Sequence, residues 1–488
     1  MASTRARFVL FVPLVTLALL VGCATRPINA RLDKVDPTAG YRYVTRPQFT
    51  TNDTDTILIL AFSGGGTRAA AFSYGVLEEL RRTELTINGR KTRMLDEVDV
   101  VTGVSGGSFT ALAYALYGDQ LFDVYEEAFL KRDIQSELIG RFLSPANWSR
   151  LWSDNWGRSE LAAQLYDEIL FHGATFADLE KKPGPWAIVT ATDISTGSRL
   201  AFVQTEFDLI CSDVESVPLS RAAAASSAVP FALSPVTLNN YGGTCGFREP
   251  SWVRQVEDPA SRARPAGRAL QTLKEMRSFE DGANRPYIHL VDGGVSDNLG
   301  VRGILGAFEQ IELSTTHRGA LRLNSVRRVG VVVVNSLSDP ATDWDKHERP
   351  PNDIQILVKA TGVPIDRYSY EGVELLKDTA ARWKTARDLR AAGAFANAGN
   401  ASLARAAANA PDIEIFAVDV SFAAIEDEKE RRYLMDQPTS FALPPEAVDR
   451  LRAAAGQALR ASADFQRLVQ EMSRAKPPES VAPPIQVR

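Results

Sequence analysis

Two early stretches share one plan, and together they leave few folds open. "TILILAFSGGG" (56–66) runs apolar, turns on Gly64, Gly65 and Gly66, and continues as "RAAAFSYGVLEELRR" with Ala69, Phe72, Val76, Leu77 and Leu80 at helical spacing. "LDEVDVVTGVS" then gives a second apolar run, and "GSFTALAYALYG" a second helix made almost wholly of apolar residues. An apolar run closed by glycine is the pattern of a buried strand, and a helix with so little polar surface is buried on nearly all sides. Strand, glycine turn and helix, twice over, predict an α/β fold: a mostly parallel sheet with helices on both faces. Glycine weakens strands and helices alike, so its density at both turns marks a backbone under steric constraint.

Further strands are predicted at "WAIVTATD" (186–193), "RLAFVQT" (199–205), "YIHLVDGG" (287–294), "RVGVVVVNS" (328–336) and "IEIFAVDVSF" (413–422). Residues 119–180 read as helices and 252–280 as a charged helix or surface insertion. Ala-rich helices are expected from about 372 to 410, and a final helix from about 445 to 473. The tail 475–488, "KPPESVAPPIQVR" with its preceding residue, is Pro-rich and is expected to be disordered.

The first residues, "MASTRARFVLFVPLVTLALLVGC", carry Arg5 and Arg7 before an uncharged apolar run from Phe8 to Val21. That run is short of the roughly 20 residues of a membrane span and reads as a secretory signal, residues 1–22. "LVGC" resembles the lipobox of bacterial lipoproteins, which implies cleavage before Cys23 and lipidation of its thiol. Ala24 stands where an inner-membrane retention Asp would, so the address implied is the outer membrane, facing the periplasm. Residues 23–55, polar with scattered Pro, are expected to be a tether. In an oxidising compartment Cys211 and Cys245 are chemically able to pair, but their separation in space is not legible from spacing.

Composition excludes some classes. The chain has 488 residues, net charge −5 and no basic stripe, which argues against nucleic acid as a partner. Its four His and three Cys lie far apart without metal-ligand spacing, so neither a metal nor another cofactor is expected.

"GVSGG" (103–107) fits G-x-S-x-G, a nucleophile elbow in which a strained turn lifts Ser105 clear of the sheet; a glycine-rich loop is the plainer alternative. A serine nucleophile needs a base. His289 is three residues before Asp292 on a strand, which puts the two on opposite faces. His317 and His347 sit in polar segments and read as solvated surface residues. Asp292 ends an apolar strand before Gly293-Gly294, at the carboxyl end of a strand where ligand sites of α/β sheets lie; capping the strand in an Asx-turn is its ordinary role. Burial would raise its pKa toward use near neutrality. The Gly64-Gly65-Gly66 turn supplies backbone N–H groups at a helix N-terminus. "GGGTRAAAF" lacks both the Walker and the dinucleotide signatures, so anion binding is retained and a nucleotide is not.

"SGGGTRAAAF", "GVSGGSF" and "VDGG", with "TDISTG" (192–197) and "ASSAVPFALSPV" (225–236), closely resemble the patatin-like phospholipases, whose dyad uses Ser and Asp without a catalytic histidine. The resemblance covers about 56–340 as the catalytic domain. It continues more weakly through "QPTSFALPPEAVDRL" (437–451), within a C-terminal helical extension at 341–474. It implies a three-layer patatin-like fold, Ser105 as nucleophile and Asp292 as general base. It further implies an oxyanion hole from the amides of Gly64, Gly65, Gly66 and Gly106. Arg68 matches the Arg that follows the glycine turn, either binding an anionic substrate group or holding a loop. "DGGVSDNLG" lacks the Pro that follows the Asn segment in the plant form. Membrane lipids are the implied substrate and surroundings.

Two other readings stay open at this point: an α/β-hydrolase esterase, which needs a His after the acid, and a catalytically silent membrane-bound module. Trp148, Trp152 and Trp156 recur every four residues, which would align them on one helix face. Packing against the sheet is their ordinary role, and an aromatic rim at a lipid interface the sharper one.

Overall fold

The apolar runs assemble into one sheet. The computed structural model describes residues 25–45, 53–153, 156–258, 267–339, 342, 344–393 and 410–474. The strands in chain order are β1 (Thr56–Phe62), β2 (Glu84–Ile87), β3 (Arg90–Arg93), β4 (Val98–Gly103) and β5 (Trp186–Asp193). They continue with β6 (Arg199–Ala201), β7 (Val236–Asn239), β8 (Tyr287–Val291), β9 (Arg328–Asn335) and β10 (Glu414–Ser421). The order across the eight-stranded sheet is β10-β9-β1-β4-β5-β8-β7, with β6 beside β5, and β2 and β3 form a separate hairpin. Neighbours from β10 to β5 run parallel, whereas β6, β7 and β8 join antiparallel. The sheet is therefore mostly parallel, as its unbroken apolar runs predict, with an antiparallel end.

Helices cover both faces. The ones that matter below are α1 (Gly66–Arg82), α2 (Gly106–Tyr117), α3 (Pro145–Leu151), α4 (Leu219–Ser226) and α5 (Gly267–Glu280). They are followed by α6 (Val301–Leu313), α7 (Asp353–Ala391), α8 (Pro445–Ala461) and α9 (Ala463–Ser473). On one face Phe62, Phe72, Leu77, Phe109, Leu112 and Leu451 share the larger core. On the other, Ile59, Val100 and Val331 meet Leu305 and Phe308 of α6 and Trp383 of α7. Among the described residues no helix is long and apolar enough to cross a membrane.

Several boundaries differ from expectation. The strand expected at 199–205 stops at Ala201. The helix expected to end near 473 breaks at Ser462, whose side chain caps the next helix by accepting from the Phe465 amide. The expected Ala-rich helices are one long helix, α7; residues 394–409 lie outside the described residues. The β2–β3 hairpin contains no apolar run: β2 alternates, with Leu85 and Ile87 buried, and β3 is polar. Its signal was Asn88-Gly89, both at positive φ (52° and 78°), the pair a tight hairpin turn requires.

The expected tether is the larger difference. Residues 25–45 lie docked on the domain. The Leu32 amide donates to the Cys211 carbonyl (2.8 Å) and the Val35 amide to that of Cys245 (3.1 Å). Tyr41 is fully buried, its hydroxyl donating to the Ala187 carbonyl (3.0 Å), and Arg42 pairs with Asp208 at 2.8 Å in a buried ion pair. Arg26 bonds Asn239 and stands over the Tyr287 ring. One aromatic side chain and two cations with distant partners pin a segment that has no periodicity of its own. Cys23, the signal residues 1–22 and the tail 475–488 lie outside the described residues.

Cys211 and Cys245 form a disulfide, with Cα atoms 5.5 Å apart and a sequence separation of 34. Closing a loop of that length is worth about 3–4 kcal/mol in the chain-entropy account. Reduction, or the Cys211→Ser/Cys245→Ser variant, is expected to lower stability by that order. Denaturant melts with and without reductant measure it, and coincident melts would show that the bond contributes nothing.

Candidate active site

The two glycine turns meet at the carboxyl ends of β1 and β4. Ser105 follows β4 and precedes α2, with φ 48° and ψ −118°, a conformation that L-residues seldom adopt. Its backbone is held on both sides: its amide donates to Ser226 Oγ (2.8 Å), and its carbonyl accepts from Ser108 Oγ (2.6 Å). The glycines around it permit close backbone approach. A methyl group on Gly106 would collide with the Gly66 backbone, and one on Gly66 with the backbone of Ser440. The elbow and the first glycine turn are thus packed directly on each other.

Asp292 follows β8. Ser105 Oγ donates to its Oδ2 at 2.8 Å, and the Gly294 amide donates to its Oδ1 at 2.7 Å. Both oxygens of a buried carboxylate are therefore occupied by donors. Burial nevertheless pushes the Asp292 pKa up to about 6, with the Gly294 and Ser105 bonds pulling the other way. The segment after α4 holds the pair in register: the Asp292 amide donates to the Ala228 carbonyl (3.0 Å) and the Gly293 amide to that of Ser226 (3.0 Å). Thr192 Oγ1 donates to the Asp292 carbonyl (2.9 Å). Ser226 thus binds the nucleophile's amide with its side chain and the base's loop with its carbonyl.

The four expected amide donors do not stand alike. The Gly64 amide donates to the Asn298 carbonyl at 2.9 Å, so it is not free to hold an oxyanion, and Gly64 leaves the expected set. Its place is fixed by crowding, because a side chain there would run into Asn298 Oδ1. The amides of Gly65, Gly66 and Gly106 have no hydrogen-bond partner among the described residues. Gly66 and Gly106 open helices, whose first amides lack intrahelical acceptors.

Arg68 is not a substrate-facing cation. It is 3% exposed; its Nε donates to the Ser336 carbonyl (2.8 Å), Nη1 to that of Gln437 (2.8 Å) and Nη2 to Thr439 Oγ1 (3.2 Å). Its burial lowers its pKa to about 10. The expected anion-binding role gives way to a clamp, because the guanidinium is buried and each of its three nitrogens donates to a distant chain segment. The segment held by Arg68 continues into Ser440, whose carbonyl accepts from the Thr67 amide (2.8 Å). Phe441 then packs edge-on to Phe109 of α2 at 5.6 Å. This closing segment touches both the glycine turn and the nucleophile helix.

None of the four histidines hydrogen-bonds to Ser105 or Asp292. His289 is exposed and shares a 2.9 Å bond with Thr237 on the edge of the sheet. His347 is exposed, while His317 is half-buried, with its pKa lowered by burial, rather than solvated as its polar neighbours suggested. Among the described residues no group of His, Cys, Asp and Glu has the arrangement of a metal site. The tryptophans divide: Trp148 and Trp152 are exposed and stack at 6.1 Å, whereas Trp156 is buried beyond the end of α3, with Arg150 over its ring at 4.1 Å. They share no single helix face, because α3 ends at Leu151.

Sequence reasoning missed Ser226, Asn298 and Ser440. Ser226 lay within the recognised "ASSAVPF" block, Asn298 six residues after Asp292 and Ser440 within "QPTSFALPPEAVDRL", so all three carried a signal, although the contact of Ser440 with the glycine turn is made by its backbone.

The family model for patatin-like phospholipases matches residues 60–305, half of the chain, and the chain belongs to that family. No curated protein matches it in sequence. Among solved structures it is similar to human GIVD cytosolic phospholipase A2, with 11% identity and a TM-score of 0.43 over 86% of this chain and 60% of that one. The same enzyme in complex with methyl gamma-linolenyl fluorophosphonate matches at 12% identity, with a TM-score of 0.41 over 88% of this chain and 61% of that one. The chain thus spans about 60% of the length of those structures.

A base with this pKa fixes a pH profile. A carboxylate must be ionised to accept a proton, so kcat/KM on a soluble ester is expected to fall tenfold per pH unit below about 6 and to level off above it. A profile still flat at pH 4.5 would exclude Asp292 as the base.

Proposed function

We propose that the chain is a membrane-anchored serine acyl hydrolase that cleaves fatty-acyl esters of lipids through Ser105 and Asp292. The observation that carries this reading is the 2.8 Å bond from Ser105 Oγ to a buried carboxylate, beside three unpartnered glycine amides. Asp292 takes the Ser105 proton as Oγ attacks the ester carbonyl carbon. The carbonyl oxygen becomes an oxyanion held by the amides of Gly65, Gly66 and Gly106. The intermediate collapses to an acyl-enzyme, and the departing alcohol leaves with the proton from Asp292. Water, deprotonated by the same carboxylate, attacks the acyl carbon; release of the fatty acid returns the proton to Ser105. Family membership supports a lipid substrate. The His positions give no support to a Ser-Asp-His triad.

The test is a panel of phospholipids and short soluble esters, assayed with the intact protein beside Ser105→Ala. Turnover that disappears in the variant supports the reading; equal rates in the two proteins would end it. Anchoring through lipid on Cys23, in an outer membrane and facing the periplasm, is supported by "LVGC" and by the Cys211–Cys245 bond, which suits an oxidising compartment. Mass spectrometry of the mature N-terminal peptide is expected to find a diacylglyceryl group on Cys23, and Cys23→Ser to release the protein from membranes. An unmodified terminus elsewhere would remove the anchor.

A further inference from the structure

We infer that the sheet carries a second lipid site, a cavity for a long acyl chain on the face turned away from α2. Its volume is about 1640 Å³, above the roughly 300–1,000 Å³ that encloses a typical small ligand. Its floor follows from strand alternation: Ile59 on β1, Val100 on β4, Ile188 on β5 and Val329 on β9 all point to this face. Leu305 and Phe308 of α6, with Met276 and Phe279 of α5, form much of the opposite wall. Neither Ser105 nor Asp292 lines it, so it is not the cleft in which the proposed chemistry occurs.

Protein interiors close-pack and leave few voids larger than a water molecule. Beside the packed cluster of Ile59, Val100, Leu305 and Phe308 the two helices leave a half-open space of this size where they could have closed on the sheet. The residues that keep it open are small: Gly303, Gly306 and Ala307 of α6 line it, and a methyl group added at Gly306 would meet nothing within 4 Å. An apolar cavity holds water poorly and takes apolar guests. From β9 to β6 the floor crosses five strands, about 19 Å at strand spacing, so the guest is long as well as apolar.

The charges around the cavity select against a highly charged ligand. Deep in it Arg199 is already paired with Glu206 at 2.7 Å, and the buried Arg42–Asp208 pair belongs to the same wall. At the rim the exposed cations Lys34, Arg248 and Arg302 are interspersed with Asp36, Glu371 and Asp378. A long chain with a small polar end fits this pattern, and its chemical class, a fatty-acyl chain, rests on the acyl-hydrolase reading above. Its source is a free fatty acid or the chain of an intact lipid. The docked amino-terminal segment closes one side through Val35, Tyr43 and Val44, so the site is complete only with that segment in place.

The experiment uses the full chain carrying Ser105→Ala, which binds without turnover, and a fluorescent long-chain fatty acid as probe. Saturable binding is expected, displaced by oleate or by phosphatidylcholine vesicles; the competitor that succeeds identifies the source, and displacement by neither would overturn the proposal. Adding Gly306→Phe should weaken binding at least tenfold while ester hydrolysis in the Ser105-containing protein with Gly306→Phe is unchanged. Unaltered probe affinity in a folded Gly306→Phe protein would overturn the assignment. A diazirine-bearing fatty acid provides a readout that needs no cavity variant. Cross-links to peptides of α5, α6 and β5 support the second site, and cross-links confined to the segments around Ser105 and Asp292 refute it. Because the binding arms need no catalysis, an inactive wild-type enzyme would count against the proposed function and leave this result standing.

Discussion

Asp292→Asn is expected to abolish ester hydrolysis and to make the fold more stable. The loss of activity should be at least roughly 10³-fold, the order seen when a nucleophile and its base act as a unit. The stability gain follows from the same burial that tunes the base. The folded pKa, about 6, lies above the ordinary 3.8, so the native state binds a proton more tightly than the unfolded chain does. Stability is therefore lost as pH rises from about 4 to 6, and the ionised carboxylate costs about 3 kcal/mol at pH 7. Asn cannot ionise and escapes that cost, while its amide can still donate to Ser105 and accept from Gly294. Denaturant unfolding at pH 7 should give a higher midpoint for the variant, and the two proteins should converge near pH 4. A variant that is less stable at pH 7 would mean that the carboxylate is held for structural reasons.

Gly106→Ala should do comparable damage for an unrelated reason. Its new methyl would overlap the Gly66 carbonyl, and the obstructing atoms are backbone on both sides, so no flexible side chain can swing away. Overpacking of this kind costs about 3 kcal/mol or more. Any relief must move Gly66, whose amide is one of the three proposed oxyanion donors, so activity should fall even in the fraction that folds. Gly140→Ala is the control. It lies in the helix Ile134–Leu143, an added methyl meets nothing within 4 Å, and it should gain up to about 1 kcal/mol from helix propensity. Thermal melts and active-site titration separate the two effects; a Gly106→Ala enzyme with full activity per folded molecule would show that the turns are not coupled.

How much of this was legible in the sequence depended on range. Strands β1, β4, β5 and β9 are buried on both faces and so are written as mainly apolar runs. The elbow and the carboxylate at the end of β8 were readable because a sharp turn needs glycine locally. What was not readable lies in partners far along the chain. Nothing near Arg68 announces the carbonyl of Gln437, and nothing near Gly64 announces that Asn298 will accept its amide. The docking of residues 25–45 depends on Tyr41 and Arg42 finding Ala187 and Asp208, contacts that spacing does not encode. The Trp148, Trp152 and Trp156 series misled for the opposite reason: a regular interval is a helix face only while the helix lasts, and α3 ends inside it.

The docked amino-terminal segment alters how freely the enzyme could travel from an anchor. Arg26 is fastened to the β7 edge three residues after Cys23, and a chain reaches at most about 3.5 Å per residue. A lipid on Cys23 would then keep the body within about 10 Å of its own attachment, where thirty loose residues would allow roughly 30 Å. The β7 edge that holds Arg26 would then stay close to the leaflet. An enzyme anchored in this way would wait like a fixed gate for lipids to diffuse past it, instead of ranging on a leash.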